Sequence, residues 1–127
     1  MYLIQAAGSA DINQASGTTN WTMEAPFAGR LDLGDTFLQW TEATGTQSTT
    51  QGVISISVAG TEVATLTANI SDAIGETQTF TVDSALDEGN PYVYFAAGDD
   101  IAIKTKTQAV GGTVSGDGTV FLPVNFA

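Results

Sequence analysis

Carboxylates are the side chains of this sequence that could carry chemistry. Asp99 and Asp100 are adjacent, and Asp83, Asp87 and Glu88 lie shortly before them. Glycoside hydrolysis needs only two carboxyl groups, about 5 to 10 Å apart. A small glycosidase that uses Asp99 and a second carboxylate is therefore one hypothesis. The competing interpretation is that the Gly-Asp-Asp sequence forms a turn between two apolar runs, since Gly and Asp are common turn residues.

The same groups raise the question of a calcium site, because Ca²⁺ accepts oxygen ligands alone. Asp99, Asp100 and Asp117 are the candidate ligands, together with backbone carbonyls. The spacing of an EF-hand is absent, however, and the Gly-Asp-Gly sequence around Asp117 is typical of a hairpin turn. We therefore predict no metal and no other cofactor, and leave open whether a loop binds Ca²⁺.

The residue types that are missing restrict the chemistry further. The 127 residues contain no His and no Cys, and three cationic side chains stand against fourteen carboxylates. Triads that act through imidazole, zinc sites built on His or Cys, and clusters of Lys and Arg around a phosphate are all excluded. The sequence therefore predicts a protein that is not an enzyme and has no catalytic residues.

The net charge of −11 bears on the partners. Such a chain repels polyanions, so we expect no nucleic-acid partner and no anionic membrane surface. No apolar run approaches the roughly 18 residues of a membrane span, and the N-terminus has no basic region of a secretory signal. We expect a cytosolic gene product.

Aromatic side chains offer a third kind of chemistry, stacking on a sugar ring or anchoring a protein interface. The candidates are Trp21, Trp40, Tyr92 and Tyr94. If residues 92–95 form a strand, Tyr92 and Tyr94 share one face and their neighbours the other. The alternative is that neighbouring strands half-cover these rings.

The elements that must position these residues are β-strands. In residues 53–58 the apolar residues alternate with Ser, and Ala59-Gly60 then predicts a tight turn into a second strand, which together form a hairpin. Short Thr- and Val-rich runs elsewhere predict about eight to ten strands, including one over 77–82. We predict one all-β domain over residues 1–127, an antiparallel jelly-roll β-sandwich, with residues 1–18 as an N-terminal arm.

Four segments of the sequence carry a resemblance to known classes of protein. Residues 92–107 and the terminal run 119–126 look like the closing strands of small jelly rolls. The hairpin of residues 53–67 and the opening of residues 21–31 are similar to the head decoration, or cement, proteins of tailed bacteriophages. The resemblance implies a non-enzymatic virion protein that is made in the host cytoplasm and binds the outer capsid surface. It would bridge and stabilise neighbouring subunits of the major capsid protein.

For contact with the capsid we predict Tyr2, Leu3 and Ile4 in the arm, with aromatic support from Trp21 or Trp40. The alternative is that Leu3 and Ile4 form the first core strand. A homo-oligomer, preferably a trimer, would protect exposed strand edges. A second functional hypothesis is a carbohydrate-binding module or a receptor-binding fibre-head domain.

Overall fold

The computed structural model describes residues 1–83 and 91–127, and every regular element in this range is a β-strand. The strands are β1 (Tyr2–Ala6), β2 (Thr18–Glu24), β3 (Gly29–Asp32), β4 (Phe37–Glu42), β5 (Val53–Val58), β6 (Thr61–Thr67), β7 (Thr77–Thr79), β8 (Thr81–Val82), β9 (Tyr92–Phe95), β10 (Asp100–Thr107) and β11 (Asp117–Phe126). Within these residues there is no helix of the length and apolarity needed to span a membrane.

The strands form two antiparallel sheets. Sheet A contains β1, β3, β4, β7, β9 and β11, and sheet B has the order β2-β10-β5-β6-β8. Buried apolar residues of both sheets belong to one core, with the largest fully buried side chains at Trp40, Ile12, Leu31, Leu33, Leu38, Ile54, Ile56, Ile101, Ile103 and Leu122. The prediction of an all-β sandwich is confirmed. Its jelly-roll connectivity stays a prediction.

Strand β11 is the centre of sheet A. It pairs with β1 on one edge and, one after the other, with β4 and β3 on the opposite edge, because Val120 and Val124 each have a partner on both sides. The β11 residues without a partner in β3 or β4 are Leu122 and Pro123. Proline has no backbone N–H to donate to a ladder, so a break between β3 and β4 at this point loses little.

One side of the sandwich is closed by a chain segment that changes sheet. Strand β7 pairs with β4 in sheet A, and β8 pairs with β6 in sheet B, with the buried side chain of Phe80 between them. The single strand predicted over 77–82 is therefore two short strands, which brings the total to eleven among the described residues.

The predicted hairpin is confirmed as β5 and β6. Its outer face differs from the expected one, because Ser55 and Ser57 are buried as well as the apolar residues between them. Strand β5 lies between β10 and β6, and the longer side chains of Lys104 and Glu62 stand next to the two serines.

The first 18 residues lie against the sandwich instead of extending from it as an arm. All five residues of β1 pair with β11. The chain then continues along the same strand, because the Ala10 and Ile12 N–H groups donate to the carbonyls of Gly118 (3.3 Å) and Gly116 (3.1 Å). Since Ile12 is fully buried, this segment contributes to the core.

Candidate interaction surface

Strand β9 carries an aromatic outer face, as its alternation predicts. Phe95 is buried in the core and Val93 packs against it, whereas Tyr94 on the opposite face is 68% exposed. Because successive side chains of a strand point to opposite faces, the core contacts of Val93 and Phe95 force Tyr94 outward. A large aromatic side chain is thus held in solvent by a strand whose opposite face packs on the core.

Arg30 lies next to Tyr94 on this outer face. The register of sheet A places Arg30 opposite Tyr94 on one side and opposite Asn125 on the other. The guanidinium carbon lies 4.4 Å from the centre of the Tyr92 ring, within the range of a cation–π contact. The row Tyr94, Arg30, Asn125 therefore combines an aromatic ring, a fixed cation and an amide.

A cluster of rings continues from this row to the end of the sandwich. The centre of the Phe126 ring lies 5.5 Å from that of Tyr2 and 6.1 Å from that of Phe27. Tyr2 is 64% exposed and Phe27 62%. We call Tyr2, Phe27, Tyr94 and Phe126 the apolar rim.

A cleft of about 320 Å³ opens beside two residues of the apolar rim, Tyr94 and Phe126, and is lined by Ala28, Gly29, Arg30, Tyr94, Phe95, Asn125, Phe126 and Ala127. Gly29 lies where β3 passes between β9 and β11. A Cβ atom at this position would stand 2.4 Å from the Asn125 carbonyl oxygen and 3.0 Å from Cζ of Phe95. Only glycine fits there without a shift of the backbone, so this residue fixes the close approach of the strands below the cleft.

The electrostatics of the apolar rim differ from those of the whole chain. Residues 1–10, 25–31, 91–98 and 118–127, which contain the apolar rim and its cleft, include no Asp or Glu side chain and one cationic side chain, Arg30. The other two cations lie on β10 in sheet B, where Lys106 forms an ion pair with Glu62 at 3.0 Å. The surface is thus nearly neutral on a strongly acidic chain.

The outer face of sheet A also carries a stacked ring pair. Phe37 and Phe121 lie opposite each other in β4 and β11, with ring centres 4.7 Å apart and planes 12° from parallel. Both rings are half-buried. On the other side of β11, Gln5 of β1 lies opposite Phe121.

The residues predicted for contact are placed differently from one another. Tyr2 belongs to the apolar rim, Leu3 is 50% exposed on the outer face, and Ile4 packs against the core. Leu3 therefore remains available for contact, as predicted, whereas Ile4 fits the alternative of a core strand. Both belong to β1 at the exposed edge of sheet A.

The two tryptophans do not lie on an open surface. Trp40 is fully buried, so the prediction that it supports contact with a partner is wrong. Strand β4 has an aromatic ring on each face, Phe37 on one and Trp40 on the other. Sheet B covers the face that carries Leu38 and Trp40. Trp21 lies on the edge strand β2, half-buried and packed against the core. The structure does not bring it to the apolar rim.

The carboxylates of the catalytic hypothesis occupy turns and strand ends. Asp99 accepts a hydrogen bond from the Ala96 N–H at 2.8 Å across the turn that ends at Asp100, which confirms the predicted turn. Asp87 and Glu88 lie outside the described residues. In residues 1–83 and 91–127 no group of three or more His, Cys, Asp and Glu side chains is arranged to hold a metal ion.

Asp117 is the carboxylate with the most perturbed environment near β11. Partial burial raises its pKa, and the neighbouring charges of Asp11 and Glu42 raise it further. The Gly118 N–H donates to Asp117 at 2.7 Å and opposes the shift. This arrangement stabilises the protonated form of Asp117 at the start of β11.

Sequence reasoning missed Phe27 and Arg30. Phe27 follows Ala25-Pro26 between two strands, where no periodic pattern assigns a face, although a large apolar residue beside a turn is itself a signal for contact. Arg30 is one of only three cations in the chain. A search of protein-family models, of curated proteins and of solved structures finds no match to this chain.

Proposed function

We propose that this chain is a non-enzymatic structural protein of a virion, a decoration or cement protein that binds the outer surface of an assembled capsid. It bridges neighbouring subunits of the major capsid protein and stabilises them. The observation that carries the proposal is the apolar rim: Tyr2, Phe27 and Tyr94 are each more than half exposed on a surface whose residues include no Asp or Glu.

Exposed rings of this kind are typical of protein interfaces. Aromatic residues are enriched at interfaces and supply most of the binding energy at their centre, because they bury a large area with few rotatable bonds. Charged residues are depleted at the same positions. A neutral aromatic surface on a chain of net charge −11 therefore fits a protein partner better than a nucleic acid.

The acidic remainder of the molecule fits the same role. On the outside of a shell it faces solvent, away from packaged DNA, and keeps the particle soluble. The virion location, synthesis in the host cytoplasm and the jelly-roll connectivity belong to this proposal, through the resemblance to head decoration proteins. A homo-oligomer repeats one attachment surface, which suits a protein that bridges subunits.

The test is cosedimentation with undecorated heads, made by a phage that lacks this protein. We expect the chain to pellet with heads in a saturable way. Replacing Phe27 or Tyr94 with Ser should weaken binding about tenfold or more, as removal of an interface ring does. Ile74→Ser is the matched control, because Ile74 is 69% exposed on a loop outside the apolar rim.

Two results would contradict the proposal. A chain that stays in the supernatant at every ratio has no capsid partner of this kind. Equal losses for Phe27→Ser and Ile74→Ser would show that general apolarity, and not the apolar rim, causes attachment. Thermal unfolding of the variants by circular dichroism separates either result from loss of the fold.

A second candidate function, carbohydrate binding, is favoured by one observation. In the row Tyr94, Arg30, Asn125 an exposed ring is available to stack on a sugar, with amide and guanidinium groups beside it for hydroxyls. Affinity electrophoresis against immobilised glycans tests it. Retardation that is lost in Tyr94→Ala and retained in Ile74→Ala would favour a sugar-binding module over a capsid protein.

A further inference from the structure

Among the residues that the structure describes, 1–83 and 91–127, the outer edge of β1 has no neighbouring strand. On one side each residue from Tyr2 to Ala6 pairs with β11, and on the other side no described strand lies next to it. A row of backbone N–H and C=O groups therefore faces outward. Such an edge is a template for the addition of another strand.

This edge lacks the features by which proteins block strand addition. From Tyr2 to Ala10 there is no charged side chain and no proline, and the pairing of β1 with β11 contains no bulge. Sheet B differs at both of its edges. Strand β2 ends in Glu24 and has a bulge in its pairing with β10, and β8 is two residues long. Charges, bulges and short length each discourage pairing between edges.

We propose that a second copy of this chain occupies this edge, with the two β1 strands antiparallel across a twofold axis. The two copies of sheet A then form one continuous sheet. An antiparallel pair of identical strands is complementary to itself, so one surface serves both partners. The proposal does not rest on capsid attachment, although Tyr2 belongs both to β1 and to the apolar rim.

The charge distribution favours a second copy over an oppositely charged partner. Two chains of net charge −11 repel each other wherever carboxylates meet, yet the first acidic residue after Met1 is Asp11. The edge of β1 is thus a place where two copies can meet without placing carboxylates opposite each other. A basic partner finds no charge there to recognise.

Side chains on both faces of β1 would be covered by this pairing. Tyr2 and Ile4 share the face that points toward sheet B, since they pair with the buried Val124 and Leu122. Leu3 and Gln5 share the outer face. Leu3 is 50% exposed in the single chain, and its contact with the second copy would remove apolar area from water.

Analytical ultracentrifugation of the full chain over a wide range of micromolar concentrations tests the proposal. We expect a species of twice the 13.1 kDa chain mass. Leu3→Lys and, separately, Gln5→Lys should reduce it to a monomer, because lysine on an edge strand blocks pairing. Ile74→Lys, which places the same charge on an exposed loop, should remain a dimer.

Hydrogen exchange of the unmodified chain supplies a second measurement that needs no variant. Amides of β1 should exchange more slowly as concentration rises, whereas those of β2 should not change. A monomer at all concentrations, a trimer, or a dimer that both lysine variants leave intact would overturn the proposal. So would exchange in β1 that is independent of concentration.

Discussion

Trp40 shows what a single buried side chain contributes to this fold. Its ring is fully buried between the sheets, and its Nε1 atom has no hydrogen-bond partner among the described residues. Burial of the ring stabilises the fold through its large apolar area, while an unpaired N–H opposes it at a cost of about 1–3 kcal/mol. Burial of the ring outweighs the cost of the unpaired N–H, since the side chain lies in the core of the folded protein.

We expect Trp40→Ala to lower the free energy of unfolding by about 3–5 kcal/mol, the usual effect of removing a core ring. Trp40→Phe should cost clearly less, because it removes the unpaired N–H together with part of the ring. Urea unfolding followed by far-UV circular dichroism measures both. Tyr94→Ala is the control and should change stability by less than about 0.5 kcal/mol. Equal effects of Trp40→Ala and Tyr94→Ala would contradict the buried position of Trp40.

A second residue, Asp117, makes stability depend on pH. Because its pKa is raised in the folded protein, the ionised carboxylate destabilises the fold at neutral pH, and stability increases as pH falls through that raised pKa. Asp117→Asn removes the charge and keeps an oxygen to accept the Gly118 N–H. The variant should therefore be more stable at pH 7 by about 0.5 kcal/mol, a small gain because solvent screens the site.

This advantage should shrink as pH is lowered and vanish below the ordinary pKa of Asp, where Asp117 is protonated in both the folded and the unfolded chain. Urea unfolding of both proteins across this pH range measures it. A difference that stays constant with pH would assign the effect to packing instead of charge.

At the scale of elements, the β5–β6 turn is the clearest case of local strain. Ala59 has φ of 50° and Gly60 φ of 80°, so both residues of this two-residue turn are left-handed. Glycine adopts this conformation freely, whereas alanine pays about 1 kcal/mol for it. The hairpin forms with Ala59 because the pairing of β5 with β6, and with β10 on its other side, compensates for this cost.

We expect Ala59→Asn to stabilise the protein by about 0.5–1 kcal/mol, since Asn tolerates the left-handed region and Asn-Gly is the preferred pair for this turn. Gly60→Ala should destabilise it by a similar amount for the opposite reason. Thermal unfolding followed by circular dichroism measures both variants. A loss of stability in Ala59→Asn would show that the turn is not the source of strain.

The elements also show what sequence patterns determine. Ile54 and Ile56 alternate with serines and precede a glycine turn, so the hairpin follows from local periodicity. In β4 the period is equally clear, but rings occur on both faces, and periodicity alone cannot decide that Trp40 points inward. The position of β1 beside β11 depends on two segments more than a hundred residues apart, and no local signal encodes that pairing.

In the candidate surface, too, some positions follow from local periodicity and others depend on contacts between distant segments. Tyr94 was predictable, since alternation in β9 separates it from the buried Phe95. Phe27 was not, because its place in the ring cluster depends on where the ends of three separate segments meet. Arg30 acquires its neighbours Tyr94 and Asn125 only from the register of β3 between β9 and β11.

The whole molecule is dominated by charge of one sign. Fourteen carboxylates face three cations, and Lys106–Glu62 is an ion pair that offsets this repulsion within the described part of the chain. Repulsion between like charges destabilises a compact state, and dissolved salt screens it. The folded chain should therefore be more stable in the presence of salt than at low ionic strength.

We expect the free energy of unfolding to rise by about 1 kcal/mol between low ionic strength and physiological salt, as screening reduces repulsion. Urea unfolding in sodium chloride measures the change, with an uncharged osmolyte at equal osmolality as the control. A fall in stability with salt would indicate that favourable ion pairs outweigh repulsion in this fold.

The central place of β11 in sheet A has a consequence for biosynthesis. Because β1, β3 and β4 all pair with it, no part of sheet A except its outer pairings can assemble until residue 126 has left the ribosome. The β5–β6 hairpin is complete much earlier, and the nascent chain must carry its apolar face and the β1 segment unpaired in the meantime. Folds dominated by such distant pairings form slowly and are vulnerable to aggregation before they close. Chaperones at the ribosomal exit would therefore find their substrate in the strands of sheet A that wait for β11, and the synthesis of residues 117–126 would set the time at which sheet A closes.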